Sequence, residues 1–292
     1  MQTDQFQLHA EIENRHWWFC GRRRIVRRLL AEIATPHSGR RIVDVGCGTG
    51  ANIASLTDAY ECHGIDPSAE GIRLARERFP AVQFTCGLAP EAFGPAEREA
   101  DVLLAMDVME HVPDDFLFAS SLLGALKPGG HLLVTVPADE TLWSPHDVNF
   151  GHYRRYTRDR LERVWHGLPV TPLLVSHSMA RLLPVVRTVR AVNRWRGRAA
   201  GAAGTDFTIP PAWINRRLED TFAGEADRLV AAMRDPRRAY PRGVSLVAIL
   251  RRESGAIEPR SRPADVPADL HDPSASVPPS PPAAAGRNGS HA

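Results

Sequence analysis

The chain has 292 residues, enough for one large α/β domain with additions or for two small domains. Hydrophobic residues make up 43% and charged residues 24%, an ordinary composition for a soluble globular protein. The net charge of +2 gives no general reason to expect a nucleic-acid partner. Because no apolar run reaches the roughly 18–20 residues of a membrane span and no signal-peptide pattern is present, we expect a cytoplasmic protein.

Residues 1–39 precede the first predicted strand and are predicted to form a helical cap, with a break near 15–21. Three aromatic residues and three arginines stand close together between His16 and Arg24. Two interpretations stay open. The segment is either an aromatic cluster with a solvated basic face or a lid over a ligand, in which Arg22 or Arg23 pairs with a ligand carboxylate.

From residue 40 onward, predicted strands and helices alternate, which is typical of a parallel sheet with right-handed crossovers. We predict strands at 41–45, 61–65, 82–85, 101–106, 130–136, 170–176 and 244–250. Helices are predicted at about 50–59, 68–79, 114–126 and 157–166.

The first strand is followed by three glycines at alternating positions, Gly46, Gly48 and Gly50. Glycines there allow positive φ angles and a close approach of a ligand to the backbone. Asp66, at the end of the second predicted strand and 20 residues after Gly46, is placed to bind the two hydroxyls of a ribose. A tight turn without a ligand is the alternative, and the acid at this spacing favours a nucleoside-containing cofactor.

The stretch 44–50 resembles the first motif of class I S-adenosylmethionine (SAM) dependent methyltransferases, and 64–68 resembles the second. Residues 101–112 and 126–137 are similar to the motifs of the fourth and fifth strands. The resemblance implies a Rossmann-like α/β fold: a seven-stranded sheet with its last strand antiparallel and helices on both faces. Dinucleotide dehydrogenases are the competitor, but their fingerprint is G-x-G-x-x-G, whereas this chain has G-x-G-x-G.

The resemblance also implies where SAM binds. The methionine end meets the glycine turn, with Asp44 near its amino group, and the ribose meets Asp66. Leu88 stands where many relatives have an Asp for the adenine amine. The predicted cofactor-binding residues are Asp44, Gly46, Gly48, Gly50, Asp66, Met106, Asp107 and Arg22.

The segment after the fifth strand is rich in polar side chains, and we expect it to project over the sulfonium. A histidine beside an aspartate is held in one tautomer and acts near neutral pH. We predict His146, then His152, then His111 as the general base, with Asp147 as a further catalytic residue. The alternative is a surface loop before a helix capped by Thr157. The predicted substrate-binding residues are Trp143, Arg154, Arg155 and Tyr156.

The sequence leaves open whether a divalent metal ion binds at the active site. Asp107, Glu110 and His111 resemble the E-x-x-E-H run that binds a divalent cation in ubiquinone-pathway O-methyltransferases. In relatives without a metal, this Glu and His are hydrogen-bond partners at the start of the next helix. We therefore expect SAM as the cofactor and no metal, with these three residues as the candidate ligands if a divalent cation binds.

The predicted domain plan is a cap at 1–39, a SAM-binding core at 40–176, a helical insertion at 177–243, the final strand at 244–253 and a disordered tail at 254–292. Within the insertion, residues 179–198 carry six arginines and no acid. This pattern predicts either peripheral contact with a membrane surface or a helix that packs on the sheet with a solvated basic face.

The expected function is methyl transfer, most readily to oxygen, on a small-molecule or lipid-linked acceptor; N- and C-methylation stay open, as does the oligomeric state. The alternatives are a nicotinamide oxidoreductase and a non-catalytic SAM-binding or membrane-associating regulator. A nucleic-acid partner is not expected, since no RNA- or DNA-binding module accompanies the arginines and the N-P-P-[FYW] motif of amino-methylating DNA enzymes is absent.

Overall fold

A computed structural model describes residues 3–195 and 208–266. The β-strands are β1 Arg41–Val45, β2 Glu61–Asp66, β3 Gln83–Cys86, β4 Val102–Met106, β5 His131–Pro137, β6 Val170–Ser178 and β7 Ser245–Arg252. The α-helices are α1 Thr3–Ile12, α2 Trp17–Ile33, α3 Ala51–Ala54, α4 Ala69–Arg78, α5 Pro95–Arg98, α6 Asp115–Ala125, α7 Pro145–Asn149, α8 Arg158–Trp165, α9 Leu183–Trp195, α10 Ala212–Ala223 and α11 Ala226–Arg234.

The described strands form one sheet in the order β3-β2-β1-β4-β5-β7-β6. The pairs from β3 to β5 are parallel, and β7 runs antiparallel to both β5 and β6. This is the predicted methyltransferase-type sheet with its last strand reversed, so the predicted fold class is confirmed. Because the order reverses direction between β1 and β4, the carboxyl ends of these two strands border a crevice.

Each face of the sheet has its own apolar core. On one face, Leu29 and Leu30 of α2 are fully buried and pack with side chains of α4, α11 and the sheet. On the other face, Phe116 of α6 and Leu161 of α8 pack against the alternate sheet residues. Each such buried side chain contributes about 1.5–3 kcal/mol relative to exposure, so helices on both faces fix the sheet edge that carries the site.

The N-terminal cap and the insertion pack against each other. The backbone N–H of Trp17 donates to Asn215 Oδ1 at 3.0 Å, and the Asn215 amide donates to the carbonyl of Arg15 at 2.9 Å. At Gly21 a Cβ atom would lie 2.8 Å from Phe222 Cδ1, so α2 and α10 approach too closely for a larger residue. The cap is therefore covered by the insertion beside the crevice.

The prediction that the chain is disordered from residue 254 onward starts the disordered tail too early. Residues 254–266 lie on the α6 and α8 face, where Ile257 and Val266 are buried in the core. The N–H of Arg260 donates to Ser120 Oγ at 2.9 Å. Two isolated apolar residues anchor this segment without any periodicity, which is why composition alone predicted disorder. Residues 267–292, the rest of the predicted tail, and residues 196–207 lie outside the described part of the chain.

Candidate active site

The glycine turn after β1 requires glycine for two different reasons. Gly46, Gly48 and Gly50 all have positive φ angles, of 72°, 53° and 86°, which other residues rarely adopt. A Cβ atom at Gly46 would lie 2.5 Å from Val108 Cγ2, so the space there is filled. At Gly48 a Cβ would meet no described atom within 4 Å beyond its chain neighbours. The turn is thus packed on one side and open at Gly48.

Asp66 ends β2 beside this turn. Its Oδ2 accepts a hydrogen bond from the N–H of Gly48 at 2.9 Å, and its Oδ1 accepts one from the N–H of Ser68 at 2.8 Å. Burial raises the pKa of Asp66, while these two backbone N–H groups oppose that shift. The carboxylate is held in one orientation at the open side of the turn, where a second acceptor site on each oxygen remains for hydroxyl groups.

Asp44, in β1, is almost fully buried beneath the turn. Its Oδ2 has no hydrogen-bond partner among the described residues. Burial raises its pKa to about 7, and the positive charge of Arg22 opposes this rise. A buried acceptor without a partner is costly unless a donor reaches it. Asp44 is therefore suited to a ligand that brings a cationic amino group.

Arg22 forms an ion pair with Asp107, directly after β4. The guanidinium of Arg22 lies 4.3 Å from the ring centroid of Trp18, so the predicted lid arginine is stacked on a lid aromatic. Asp107 has a positive φ of 55°, and its N–H donates to the carbonyl of Thr135 at 2.9 Å. Beside the pair is a cavity of about 20 Å³, whose polar lining includes Thr135, Ser178 and Ser245.

Glu13 connects the end of α1 to the glycine turn, a contact that the sequence did not predict. It is buried, accepts a hydrogen bond from Thr49 Oγ1 at 2.7 Å and forms an ion pair with Arg78 of α4. Arg78 also donates to the carbonyl of Thr49 at 2.9 Å. Arg23, the alternative lid arginine, donates to the carbonyl of Glu13 at 2.8 Å. Since these partners are far apart in sequence, no local pattern signals the network.

His152 and Asp147 form a hydrogen-bonded pair after β5. The His152 Nδ1 lies 3.0 Å from Asp147 Oδ1, and Asp147 is completely buried. Burial alone would raise the pKa of Asp147, but the hydrogen bond with His152 and the positive charge of Arg155 hold it well below its usual range. An ionised carboxylate on Nδ1 favours the tautomer in which Nε2 is a proton acceptor.

His152 also lies against Glu110 and His111, which follow β4. The His111 and His152 ring centroids are 4.6 Å apart. Burial and the neighbouring His152 lower the pKa of His111 to about 3, so His111 is neutral near pH 7. Burial, with Asp107 nearby, raises the pKa of Glu110 well above its usual range. The structure thus brings His111 and His152 together.

Among the described residues, ligand atoms of Glu110, His111 and His152 lie within 4.8 Å of one another, close enough to hold a cation. The predicted ligand set differs from this one. Asp107, the third predicted ligand, instead forms its ion pair with Arg22. The expectation of SAM without a metal stays a prediction, and Glu110, His111 and His152 are the residues that would hold a cation if one binds.

His146, first in the predicted order of bases, lies on α7. Its ring centroid is 4.4 Å from that of Phe150 and 6.4 Å from that of His152. Phe150 in turn stacks on His9 of α1, with 5.7 Å between centroids. His146 therefore belongs to a histidine and aromatic group between α1 and α7. Trp143, a predicted substrate residue, is half-buried just before α7.

Comparison with known proteins decides the family. Residues 16–168, just over half of the chain, match the family model of a methyltransferase domain. The chain belongs to the class I SAM-dependent methyltransferases. This membership rules out the nicotinamide oxidoreductase that the G-x-G pattern left open, and it agrees with the four motifs predicted from the sequence.

Three curated relatives show the extent of the similarity. The methyltransferase is 37% identical over 119 residues to trans-aconitate 2-methyltransferase of Rhodopseudomonas palustris (strain BisA53), covering 40% of the chain and 45% of the relative. It is 36% identical over 103 residues to the ubiquinone biosynthesis O-methyltransferase of Bradyrhizobium sp. (strain ORS 278), covering 34% and 40%. A Mycolicibacterium smegmatis protein named "Probable S-adenosylmethionine-dependent methyltransferase" is 29% identical over 232 residues, covering 72% and 88%. The chain spans less than half the length of the first two.

Two solved structures share the fold. The plantazolicin methyltransferase BpumL, in complex with a desmethylPZN analog and SAH, superposes with a TM-score of 0.52 at 13% identity, covering 86% of this chain and 90% of that one. A methyltransferase in complex with the Haloferax volcanii Trm112 methyltransferase activator gives 0.51 at 16% identity, covering 85% and 98%. At these identities the similarity shows the fold alone.

SAM fits the residues that the structure places at the crevice. The amino group of its methionine part matches the partnerless oxygen of Asp44, and its ribose hydroxyls match the fixed carboxylate of Asp66. The space above Gly48 leaves room for the ligand against the backbone. The predicted contact of Met106 stays a prediction, as does that of Arg22 with the SAM carboxylate, since Arg22 pairs with Asp107. Leu88, which stands where many relatives have an Asp for the adenine amine, is exposed.

Three predicted substrate residues have structural roles instead. Arg154 is buried and donates to the carbonyls of Met109, Val112 and Pro113. Arg155 is buried between Asp147 and the carbonyl of Ala138. Tyr156 is completely buried, and its hydroxyl donates to Asp115 at 2.9 Å. The three side chains hold the segment after β5 in place, which corrects the expectation that they contact the substrate. Asp147 is buried as well, in its hydrogen bond with His152.

The contacts of Glu13 give a first prediction. Glu13→Gln is expected to raise the KM for SAM by about tenfold, equivalent to about 1.4 kcal/mol, with a much smaller change in kcat. The neutral amide binds the Arg78 guanidinium more weakly than the carboxylate does, so the contact that fixes the glycine turn at Thr49 is loosened. Steady-state kinetics at varied SAM concentration measure both constants. Glu11→Gln, an exposed position two residues away on α1, is the control. An unchanged KM in the Glu13 variant would contradict the assignment.

Proposed function

We propose that the methyltransferase transfers the methyl group of SAM to a hydroxyl oxygen of a small-molecule or lipid-linked acceptor. When bound, SAM supplies a methyl group already activated by its sulfonium. The chain must therefore orient the acceptor, remove its proton and exclude water. We choose oxygen as the methyl-accepting atom because of the hydrogen-bonded Asp147–His152 pair. A hydroxyl needs a base to become a good nucleophile, and this pair can supply one.

His152 is the proposed general base. Its Nε2 accepts the acceptor proton, while Asp147 keeps the proton on Nδ1 and stabilises the imidazolium that results. His111, with a pKa of about 3, is neutral and too weakly basic for this role. We rank His152 before His146 because Asp147 orients His152 through the hydrogen bond to Nδ1. The similarity to a ubiquinone biosynthesis O-methyltransferase supports an oxygen acceptor.

In this proposal, Asp44 binds the amino group of SAM, Asp66 binds its ribose, and the glycine turn binds its methionine part. The Arg22–Asp107 pair, with Trp18 stacked on Arg22, lies at the carboxyl end of the neighbouring strand β4. The support is geometric: a buried carboxylate without a partner, a fixed carboxylate and an opening at Gly48 lie at the carboxyl ends of β1 and β2.

The test uses SAM carrying a ¹³C-methyl group, the purified protein and a host-cell extract separated afterwards into organic and aqueous phases. The expected result is a labelled product whose methyl carbon has the chemical shift of an O-methyl group. Label in the organic phase indicates a lipid-linked acceptor, and label in the aqueous phase indicates a soluble one. An N-methyl or C-methyl signal would contradict the oxygen acceptor. SAM binding without transfer to any extract component would favour a non-catalytic regulator.

A further inference from the structure

Residues 139–156 form a loop that leaves the end of β5, carries the proposed base and returns to β5. The N–H of Asp139 closes the loop at its base by donating to the carbonyl of Tyr156 at 3.3 Å. The returning half of the loop is fixed by its own buried arginines and by Tyr156. The outgoing limb, residues 139–144, contains no arginine, so a positively charged side chain that fixes it has to come from elsewhere in the fold.

Two arginines of the basic stretch in the insertion bind this limb. On α9, Arg187 donates to Asp139 Oδ2 at 2.8 Å, and Arg190 donates to the carbonyl of Leu142. Because the two arginines are three residues apart, they lie on one face of the helix. Peripheral membrane contact of the basic stretch stays a prediction, and among the described residues no helix is long and apolar enough to cross a membrane. Through Arg187 and Arg190, α9 holds the outgoing limb at two points.

Asp139 has a backbone conformation that requires support from its surroundings. Its φ of 64° and ψ of 95° lie in a region that residues other than glycine rarely adopt. Such a conformation persists where the surrounding contacts over-determine it. The Asp139 carboxylate accepts a hydrogen bond from the N–H of Thr141 at 3.1 Å and pairs with Arg187. The ion pair with α9 is therefore one of the contacts that keep the strained residue in place.

The outgoing limb leads directly to the carboxylate that orients the proposed base. Ser144, two residues after Leu142, donates to Asp147 Oδ2 from its N–H at 2.9 Å and from its hydroxyl at 3.2 Å. Asp147 Oδ1 in turn lies 3.0 Å from His152 Nδ1. A shift of the limb therefore reaches Asp147, and through Asp147 it changes the tautomer and the direction of the His152 ring.

We propose that Arg187 and Arg190 are positioning residues, through which α9 holds His152 in the orientation that removes the acceptor proton. This deepens the proposed function, on which it rests for its kinetic consequence. Arg187 is 47% exposed, and an exposed ion pair contributes little. Arg190 is half-buried and donates a charge-assisted hydrogen bond to the carbonyl of the buried Leu142. Loss of Arg190 should therefore have the larger effect.

The experiment compares the wild type with the double variant Arg187→Met, Arg190→Met. Methionine keeps an unbranched side chain and a good helix propensity but removes the charge. Nitrogen NMR of the His152 imidazole, recorded without SAM or acceptor, should show the Nδ1-protonated tautomer in the wild type and a mixture of both tautomers in the variant. Methyl transfer from SAM to a host-cell extract should be about tenfold slower at saturating SAM, with a KM for SAM within about twofold of the wild type.

Two further variants make the comparison specific. Val189→Ala, at an exposed position between the two arginines, is the matched control and should behave like the wild type in both measurements. Arg190→Lys keeps a charged donor and should recover most of the rate that Arg190→Met loses, because one hydrogen bond to a carbonyl does not need the two-pronged guanidinium.

Three results would overturn the proposal. In the first, the double variant keeps a single His152 tautomer and the wild-type rate. In the second, Val189→Ala loses as much as the double variant. In the third, the KM for SAM rises by the factor by which the rate falls, which would indicate general loosening of the fold. Mixed tautomers without a change in rate would support the positioning role and remove the base assignment. Because the NMR measurement needs no methyl transfer, failure of the labelling experiment leaves the positioning role standing.

Discussion

Replacing His152 by alanine is expected to lower kcat by about 100- to 10,000-fold, the range that a positioned general base contributes. SAM affinity should stay close to that of the wild type, because the residues proposed to hold SAM lie on β1, β2 and the glycine turn. The fold should also persist, since Asp147 keeps its hydrogen bonds from Ser144 and Arg155 when His152 is lost. Single-turnover kinetics with bound SAM measure the chemical step, and calorimetry measures SAM binding.

Two variants separate this role from its neighbours. His166→Ala changes an exposed histidine at the end of α8 and should leave kcat unchanged. His146→Ala should lower kcat much less than His152→Ala does, because the base role is assigned to the histidine that Asp147 orients. A His152→Ala variant with near-normal turnover and intact SAM binding would remove the base assignment. The oxygen acceptor would then lose its main structural support.

The contact between Asp66 and the glycine turn could be predicted from the sequence because its signals are local. Each apolar run ends in a turn or an acid, and the carboxyl ends of parallel strands meet at one edge of the sheet. Asp66 and Gly48, 18 residues apart, are therefore brought into contact by the β1–α3–β2 unit itself. The reversed last strand was instead predicted from the resemblance to the methyltransferase motifs, which assigns the apolar run at 244–250 to the seventh strand.

The segment after β5 was predicted less well because its contacts are long-range. A dense run of arginine, tyrosine and histidine indicated a substrate site, since such side chains are usually exposed. Arg154 instead satisfies carbonyls that lie more than 40 residues earlier, and Tyr156 reaches Asp115 at a similar separation. Only the folded chain shows that these groups are buried. Glu13 escaped prediction for the same reason, because its partners Thr49 and Arg78 lie 36 and 65 residues away.

Removing Asp147 is expected to have a large effect of a different kind. Asp147→Ala should lower the free energy of unfolding by about 3–5 kcal/mol, because it leaves the buried Arg155 guanidinium without its anionic partner. This is a large share of the roughly 5–15 kcal/mol by which a folded domain is stable. Urea unfolding followed by circular dichroism measures the loss. Asp159→Ala, at an exposed acid in the first turn of α8, is the control.

The pH dependence of the free energy of unfolding shows whether the loss in Asp147→Ala comes from the missing charge or from the missing packing. The pKa of Asp147 is held well below its usual range in the folded protein. Its contribution to stability is therefore complete above the unfolded pKa of about 4 and is lost as the pH falls below that value. Asp147→Asn keeps the shape but should lack this acid-sensitive component. An Asp147→Asn protein whose stability falls with acid as steeply as that of the wild type would contradict the assignment.

A second substitution should recover part of the loss. If the stranded guanidinium is the main cost in Asp147→Ala, then adding Arg155→Met removes the uncompensated buried charge and fills most of its volume. The double variant is therefore expected to be more stable than Asp147→Ala alone, although Arg155→Met by itself should destabilise the wild type by removing the positive charge that pairs with the buried Asp147. Additive losses in the double variant would show that the two side chains stabilise the segment independently. Recovery of stability without recovery of kcat would separate the structural role of Asp147 from its proposed orientation of His152.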